Sequence, residues 1–260
     1  MLNRPKKSLG QNFLHDQNIL KIIVKQGNIK NNDQVLEIGP GTGNLTAHII
    51  SQKPKKIFLI EKDKVLSNEL KKKFESKVEV ITNDILEISS DFYKNKNFII
   101  FGNLPYNIST KILTQFCLDE FLLVTKLVLM FQKEVADRII AKVNTNKYGR
   151  LTILANWKFN IKKICDVSPN SFFPKPKVQS SILEFLPKKK KFFIKDPKNI
   201  GKVTNVFFSQ RRKMIKKPIN ILFKKSFNYS KFKINPFDRP QNISIEKYFE
   251  ITKEFENSLS

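Results

Sequence analysis

The sequence predicts an α/β fold: a mostly parallel sheet followed by a small, strongly basic helical domain. Three observations predict it. Short apolar runs alternate with amphipathic stretches through the first 187 residues. Each run ends at glycine or at a polar residue, as strands do at a ligand-binding edge. The charge density then jumps: residues 188–260 carry 19 basic and 6 acidic side chains, a net charge of +13, against +12 for all of residues 1–187.

The expected strands, in order, are these. Val35 to Ile38 ends at a glycine cluster, Ile57 to Ile60 at Glu61, and Val78 to Ile81 leads to Asp84. Phe98 to Phe101 ends at Gly102-Asn103, and Leu127 to Phe131 before Gln132. Runs of four or five apolar residues suit strands buried on both faces. Helices are expected from near Asn44, over Lys62 to Phe74 and over Ser109 to Cys117. Repeated strand–helix units imply parallel pairing with right-handed crossovers. Trp157 to Val167 and Val178 to Phe185 read as later strands joined by the proline-rich stretch Pro169 to Pro176. Beyond Pro187-Lys188-Lys189-Lys190-Lys191, helical spacing covers Ile200 to Phe208, Pro218 to Lys225 and Ser244 to Phe255, with Ser244 as N-cap. The expected domains are therefore 1–187 and 188–260.

Composition narrows the function. In the whole chain, 48 Lys and Arg oppose 23 Asp and Glu, for a net charge of +25, and a surface this basic seeks a polyanion. Two cysteines, Cys117 and Cys165, make neither a disulfide framework nor a cysteine-rich zinc site. No apolar run approaches the ~18 residues of a membrane span. Lys21 and Lys25 interrupt the only apolar stretch near the start, so no signal-peptide core is expected. A reduced, cytoplasmic protein with no membrane partner is the expectation.

Three motifs carry chemistry. Three of only eight glycines fall in Glu37-Ile38-Gly39-Pro40-Gly41-Thr42-Gly43, between a strand and a helix. Glycines there serve either a tight turn alone or close backbone approach to a ligand. The spacing is not the dinucleotide G-x-G-x-x-G, which leaves little room for an NAD dehydrogenase. Glu61 is either a solvated acid beside Lys62 and Lys64 or a bidentate acceptor for two ribose hydroxyls. Asp84 fits a helix N-cap and an acceptor for an adenine amine, two compatible roles. Together these strand ends outline an adenosine site.

The third motif is Gly102-Asn103-Leu104-Pro105-Tyr106-Asn107. It reads either as a plain turn or as the reacting end of a base-amine methylase. An exocyclic base amine is a poor nucleophile because its lone pair is delocalised into the ring. Accepting hydrogen bonds from both amine protons favours a more tetrahedral nitrogen. Asn103 offers a side-chain carbonyl, and Leu104 a backbone carbonyl held extended by Pro105. Tyr106 offers a face on which a base stacks. The coincidence of acceptor, proline and aromatic in one loop at a ligand-binding edge favours the second reading.

These segments resemble the adenine-N6 methyltransferases that use S-adenosyl-L-methionine, and more narrowly the ribosomal RNA adenine dimethyltransferase family, in its branch acting on 16S rRNA of the small subunit. The likeness also takes in Gly10-Gln11-Asn12-Phe13-Leu14, Asn107-Ile108-Ser109 and Gln132-Lys133-Glu134-Val135. It continues through Tyr148-Gly149-Arg150-Leu151, Phe172-Phe173-Pro174-Lys175-Pro176-Lys177-Val178 and Arg211-Arg212-Lys213. The resemblance implies a Rossmann-like class I methyltransferase sheet of seven strands, the last antiparallel, with a small C-terminal helical domain. It implies that Asn12, Leu14, Gly39, Glu61, Asp84 and Asn103 meet the cofactor, and that Tyr106 and Phe172 sandwich the target adenine. Spacing alone makes Asn12 a loop residue and Phe172 core. The chain departs from the pattern at Met214, at Lys216-Lys217 and at Phe173, which bears on local RNA contacts.

The resemblance implies dimethylation of N6 on two adjacent adenosines near the 3′ end of 16S rRNA, in the small subunit or its precursor; a monomer is expected. The sulfonium is already an activated donor, so no metal or covalent nucleophile is expected. His15 and His48 are expected at the surface or on a helix, and both cysteines in the core. Residues 1–187 would hold the cofactor and 188–260 would bind RNA through Arg211, Arg212 and Lys213, with Arg4, Lys6 and Lys7 meeting RNA nearer the reaction. Two alternatives stand: a 23S rRNA adenine methylase of the macrolide-resistance type, and a non-catalytic ribosome-binding assembly factor. Gly39-Pro40-Gly41-Thr42-Gly43 and Leu104 favour the small-subunit enzyme over the first. The intact Asn103, Pro105, Tyr106 and Glu61 stand against the second.

Overall fold

Apolar side chains on both faces of four consecutive strands dictate a sheet sandwiched between layers. The structure, a computed structural model, describes residues 5–6, 9–189, 192–224 and 227–259. Arg4, Lys7, Lys190, Lys191 and Lys225 lie outside the described residues.

The chain opens with β1 (Phe13–Leu14), α1 (Gln17–Gly27), β2 (Gln34–Ile38), α2 (Asn44–Ile50), β3 (Lys56–Glu61), α3 (Lys64–Phe74) and β4 (Glu79–Thr82). There follow β5 (Asn97–Asn103), α4 (Ser109–Leu118), β6 (Leu123–Gln132), α5 (Lys133–Ile139), α6 (Arg150–Lys158), β7 (Phe159–Val167), β8 (Phe172–Phe173) and β9 (Ser180–Pro187). The helices α7 (Pro197–Phe208), α8 (Lys216–Phe223), α9 (Tyr229–Phe232) and α10 (Ile245–Asn257) complete it.

Seven strands form one sheet in the order β4-β3-β2-β5-β6-β9-β7. The pairs β3–β4, β2–β3, β2–β5 and β5–β6 are parallel, and β9, last in the chain, runs antiparallel to β6. Strand order reverses at β2, between β3 and β5, which places a crevice beyond the C-terminal ends of these strands. Val35, Leu36, Phe98, Ile100 and Leu127 are fully buried, as the continuous apolar runs require. Lys126, the one charge in the β6 apolar run, pairs with Glu184 of β9 at 2.9 Å and donates to the Gln26 carbonyl at 2.6 Å. β1 and β8 form a separate two-stranded ribbon that pairs Leu14 with Phe172 and Phe13 with Phe173.

Several boundaries differ from expectation. Trp157 and Lys158 end a helix, α6, and the strand begins at Phe159. The Gly149 N–H donates to Thr152 Oγ1 at 3.1 Å to start α6, which buries Ile153, Leu154, Ala155 and Trp157. A helix buried on nearly every side loses the one-faced pattern that announces it. Helix α1 was not expected, yet Asp16 caps it, accepting from the Asn18 and Ile19 N–H groups, while Leu20, Ile23 and Val24 form its buried stripe.

The described residues form two compact units. One takes the chain to Leu113, Glu120–Ala136 and Ile161–Pro187. The other takes in Thr114–Asp119 and Asp137–Asn160 together with the chain from Lys188 onward. Within it α6 and α10 pack on α7. Glu256 of α10 accepts from the Lys195 and Asp196 N–H groups at 2.9 Å each and from Asn199 Nδ2 at 3.0 Å, fixing the start of α7.

Candidate active site

Asn12, Leu14, Gly39, Glu61, Asp84 and Asn103, the six residues expected around the cofactor, line a single cavity in the first unit. It lies beyond the C-terminal ends of β2, β3 and β5 and is floored by apolar Ile38, Ile60, Ile85 and Leu104.

The glycine loop joins β2 to α2. Gly41 has φ +58°, and a Cβ there would sit 2.8 Å from the Phe13 ring, so glycine is required twice over. Gly39, at φ +64°, has open space where its Cβ would project, leaving its backbone bare to the cavity. The loop is pinned by its own acid: Glu61 Oε2 accepts from the Gly41 N–H at 3.1 Å, and Oε1 from the Asp63 N–H at 2.9 Å. Burial pushes the Glu61 pKa up, and these two donors oppose the rise.

Asp84 caps the turn that follows β4, Oδ1 accepting from the Leu86 N–H at 2.9 Å, while Oδ2 pairs with Lys62 at 2.8 Å. Burial works to raise its pKa, but the Lys62 ammonium and the Leu86 N–H hold it below the ordinary value.

At the end of β5, Asn103 Nδ2 donates to the Asn12 carbonyl at 2.9 Å. This fixes the amide orientation and leaves Oδ1 as the remaining acceptor. Leu104 is buried, and the Pro105 carbonyl accepts from the Ile108 and Ser109 N–H groups at 3.1 and 3.0 Å to start α4. Tyr106 is half-buried, and its hydroxyl lies 2.6 Å from Ser180 Oγ of β9. Burial raises the phenol pKa, so it stays protonated.

Phe172 departs from expectation. It is 3% exposed, sits opposite Leu14 in the core, and is not among the residues lining the cavity. Its neighbour Phe173 projects to the other face of the two-stranded ribbon and is 61% exposed. Spacing makes Phe172 core, and in this conformation it is.

Three polar residues at the site were not singled out from sequence. Glu37 is fully buried, accepts from Thr46 Oγ1 at 2.7 Å, and has its pKa pushed up to about 8 by burial. Gln11 Nε2 donates to Asp63 Oδ2 at 3.2 Å, and Lys6 pairs with the same oxygen at 2.8 Å. Lys6, expected to meet RNA, is thus engaged within the protein. Glu37 and Gln11 both lie inside motifs, which was the available signal.

In the second unit the three expected RNA contacts separate. Arg211 Nη2 donates to the Asn146 carbonyl at 2.8 Å and to Gln241 Oε1 at 3.2 Å, whereas Arg212 and Lys213 are exposed. His15 is exposed and His48 lies on α2; Cys117 is buried and Cys165 only partly so. Among the described residues no helix is long and apolar enough to cross a membrane.

Comparison with known proteins gives a consistent result. The family model for ribosomal RNA adenine dimethylase matches residues 2–257. The "Ribosomal RNA small subunit methyltransferase A" of Pelagibacter ubique is 50% identical over 260 residues, covering 99% of each chain. The protein of the same name from Wolbachia pipientis wMel is 38% identical, covering 95% of this chain and 87% of its own. Among solved structures, a dimethyladenosine transferase from Plasmodium falciparum superposes with a TM-score of 0.80 at 27% identity, covering 95% of this chain and 98% of the other. The 23S rRNA methyltransferase ErmE, at 21% identity and a TM-score of 0.69, covers 94% of this chain and 100% of its own and shares the fold.

Proposed function

The chain belongs to the ribosomal RNA adenine dimethylase family, from which we infer that it is an S-adenosyl-L-methionine-dependent rRNA adenine-N6,N6-dimethyltransferase acting on 16S rRNA of the small ribosomal subunit. Its targets are two adjacent adenosines near the 3′ end, each methylated twice, in the course of small-subunit biogenesis in the cytoplasm. The observation that carries this reading is the meeting, in one cavity, of Glu61 and Asp84 with the Asn103-Leu104-Pro105-Tyr106 turn.

The residues present fit the methyl donor. Both Glu61 oxygens accept backbone N–H groups, and the carboxylate keeps acceptor capacity for ribose hydroxyls. Asp84 holds its negative charge at the far end of the cavity, suited to an adenine amine. The bare backbone at Gly39 admits close approach, and Asn12 and Leu14 close the cavity from the N-terminal segment. The bound donor supplies a methyl group on a sulfonium, ready for in-line displacement.

What remains for the protein is positioning and electrostatics. The target adenine leaves its stack and enters beside Tyr106, as bases do in other base-modifying enzymes. Asn103 Oδ1 and the Leu104 carbonyl accept the two N6 protons, so the nitrogen lone pair turns toward the methyl. Tyr106 stacks on the ring, its own ring held by Ser180. Phe172 would complete a sandwich only after moving out of the core, so Tyr106 is the residue on which stacking rests. RNA reaches the site through phosphate contacts in which Arg212 and Lys213 take part.

The test is turnover with methyl-labelled donor on undermethylated small and large subunits, followed by primer extension. Dimethyladenosine near the 3′ end of 16S rRNA is expected. Label on large subunits alone would reassign the substrate, and subunit binding with no transfer would make the protein an assembly factor.

A further inference from the structure

The reacting amide is held by the N-terminal segment. Asn103 Nδ2 binds the carbonyl of Asn12, 91 residues earlier. Without that contact the Asn103 amide can rotate by half a turn and present NH2 where an acceptor is needed. What holds Asn12 in place is therefore part of the reacting geometry.

On the N-terminal side of Asn12, where the β1–β8 pairing does not reach, the holding group is Asp63, just beyond Glu61 at the end of β3. It is 4% exposed and charged, its pKa lowered by Lys6, Val65 N–H and Gln11 against the raising effect of burial. Its two oxygens divide the work. Oδ1 caps α3, accepting from the Val65 N–H at 3.0 Å. Oδ2 faces the N-terminal segment, accepting from Gln11 Nε2 at 3.2 Å and pairing with Lys6 at 2.8 Å. Gln11 closes the loop on itself, since its Oε1 accepts from the Lys6 N–H at 2.7 Å. Asn44 Nδ2 ties the other end at the Leu14 carbonyl, at 2.9 Å.

We propose that Gln11 and Asp63 are positioning residues for methyl transfer: they clasp the N-terminal segment so that the Asn12 carbonyl fixes the acceptor orientation of Asn103. The clasp runs from the carboxylate end of the cofactor cavity to the reacting end. It makes docking of residues 9–14 a condition for transfer as well as a wall of the cavity. This rests on the role assigned to Asn103 above.

The experiment compares Gln11→Ala, Asp63→Asn and the double variant in the full chain. Asn at 63 keeps one oxygen for the Val65 cap and turns an NH2 group toward Gln11 and Lys6. For each, S-adenosyl-L-methionine affinity is read by calorimetry and kcat at saturating donor on undermethylated small subunits. The expected result is a kcat loss of about tenfold or more in each single variant. The double variant should fall no further than the weaker single, because both act through one contact. Weakened donor binding with kcat within about twofold of the parent would overturn the clasp and leave only a cavity wall. So would independent, multiplying losses. If Asp63→Asn fails to fold, Gln11→Ala alone decides by the same kcat criterion. Full activity in Asn103→Ala would sink the underlying assignment instead, a separate outcome.

Discussion

The backbone N–H of Gly41 donates to Glu61 Oε2 at 3.1 Å, joining the glycine loop to the carboxylate of the neighbouring strand end. The loop and the acid are one device, since each sets the other's position. Replacing Glu61 by Ala removes the proposed ribose acceptor and loosens the loop together. A hydrogen bond to a charged group contributes about 1.5–3 kcal/mol. The expectation is donor affinity lowered at least about tenfold, with affinity for small subunits nearly unchanged. Calorimetry with each ligand checks this, and unchanged donor affinity would argue against the ribose assignment.

Asn103→Ala tests the other end of the cavity. Loss of one preorganised acceptor in an active site typically costs about 10²–10³ in rate. Transfer should fall by that order while donor affinity falls only a few-fold, because the role proposed for Asn103 Oδ1 is to accept from the target base. Steady-state turnover at saturating donor is the measurement. Activity near the parent level would remove Asn103 from the mechanism.

The strands and the polar residues at their ends were legible because buried parallel strands are continuous apolar runs; Glu61 and Asn103 each terminate one, and Asp84 follows two residues after another. Trp157 reads as strand in the sequence but ends α6, because that helix is buried nearly all round and shows no helical stripe. The contribution of Gln11 was not legible, since it depends on a bond to Asp63, 52 residues away, that no local pattern encodes. Phe172 is the opposite case. Family resemblance assigns it to the target base, while its bare spacing among many phenylalanines points to core, and its burial opposite Leu14 agrees with the spacing. The division of Arg211 from Arg212 likewise follows from a fold-dependent partner, the Asn146 carbonyl.

Glu37 gives a pH prediction. Burial raises its pKa from 4.5 to about 8, so between these values the native state keeps a proton that the unfolded chain releases. The stabilisation is fully present below pH 4.5 and is lost as pH rises through about 8. The slope is at most about 1.4 kcal/mol per pH unit. Glu37→Gln keeps an acceptor for Thr46 Oγ1 and carries no titrating proton. Urea denaturation should show the variant gaining on the parent as pH is raised from 5 to 8. Parallel pH dependence in the two proteins would count against a protonated Glu37.

Arg211, Arg212 and Lys213 are adjacent in sequence but differ in environment, so their substitutions should separate. Arg212 and Lys213 are exposed, whereas Arg211 holds the Asn146 carbonyl and Gln241. Replacing Arg212 and Lys213 together with Ala should weaken binding to small subunits and reduce the slope of log K against log salt by about 1 to 2, with thermal stability unchanged. Arg211→Ala should instead lower stability by about 1 kcal/mol, the scale of two part-exposed hydrogen bonds. Affinity measured across a salt series, with a melting curve for each variant, distinguishes these. A salt slope unaltered by the double substitution would place the RNA phosphates elsewhere on this basic unit.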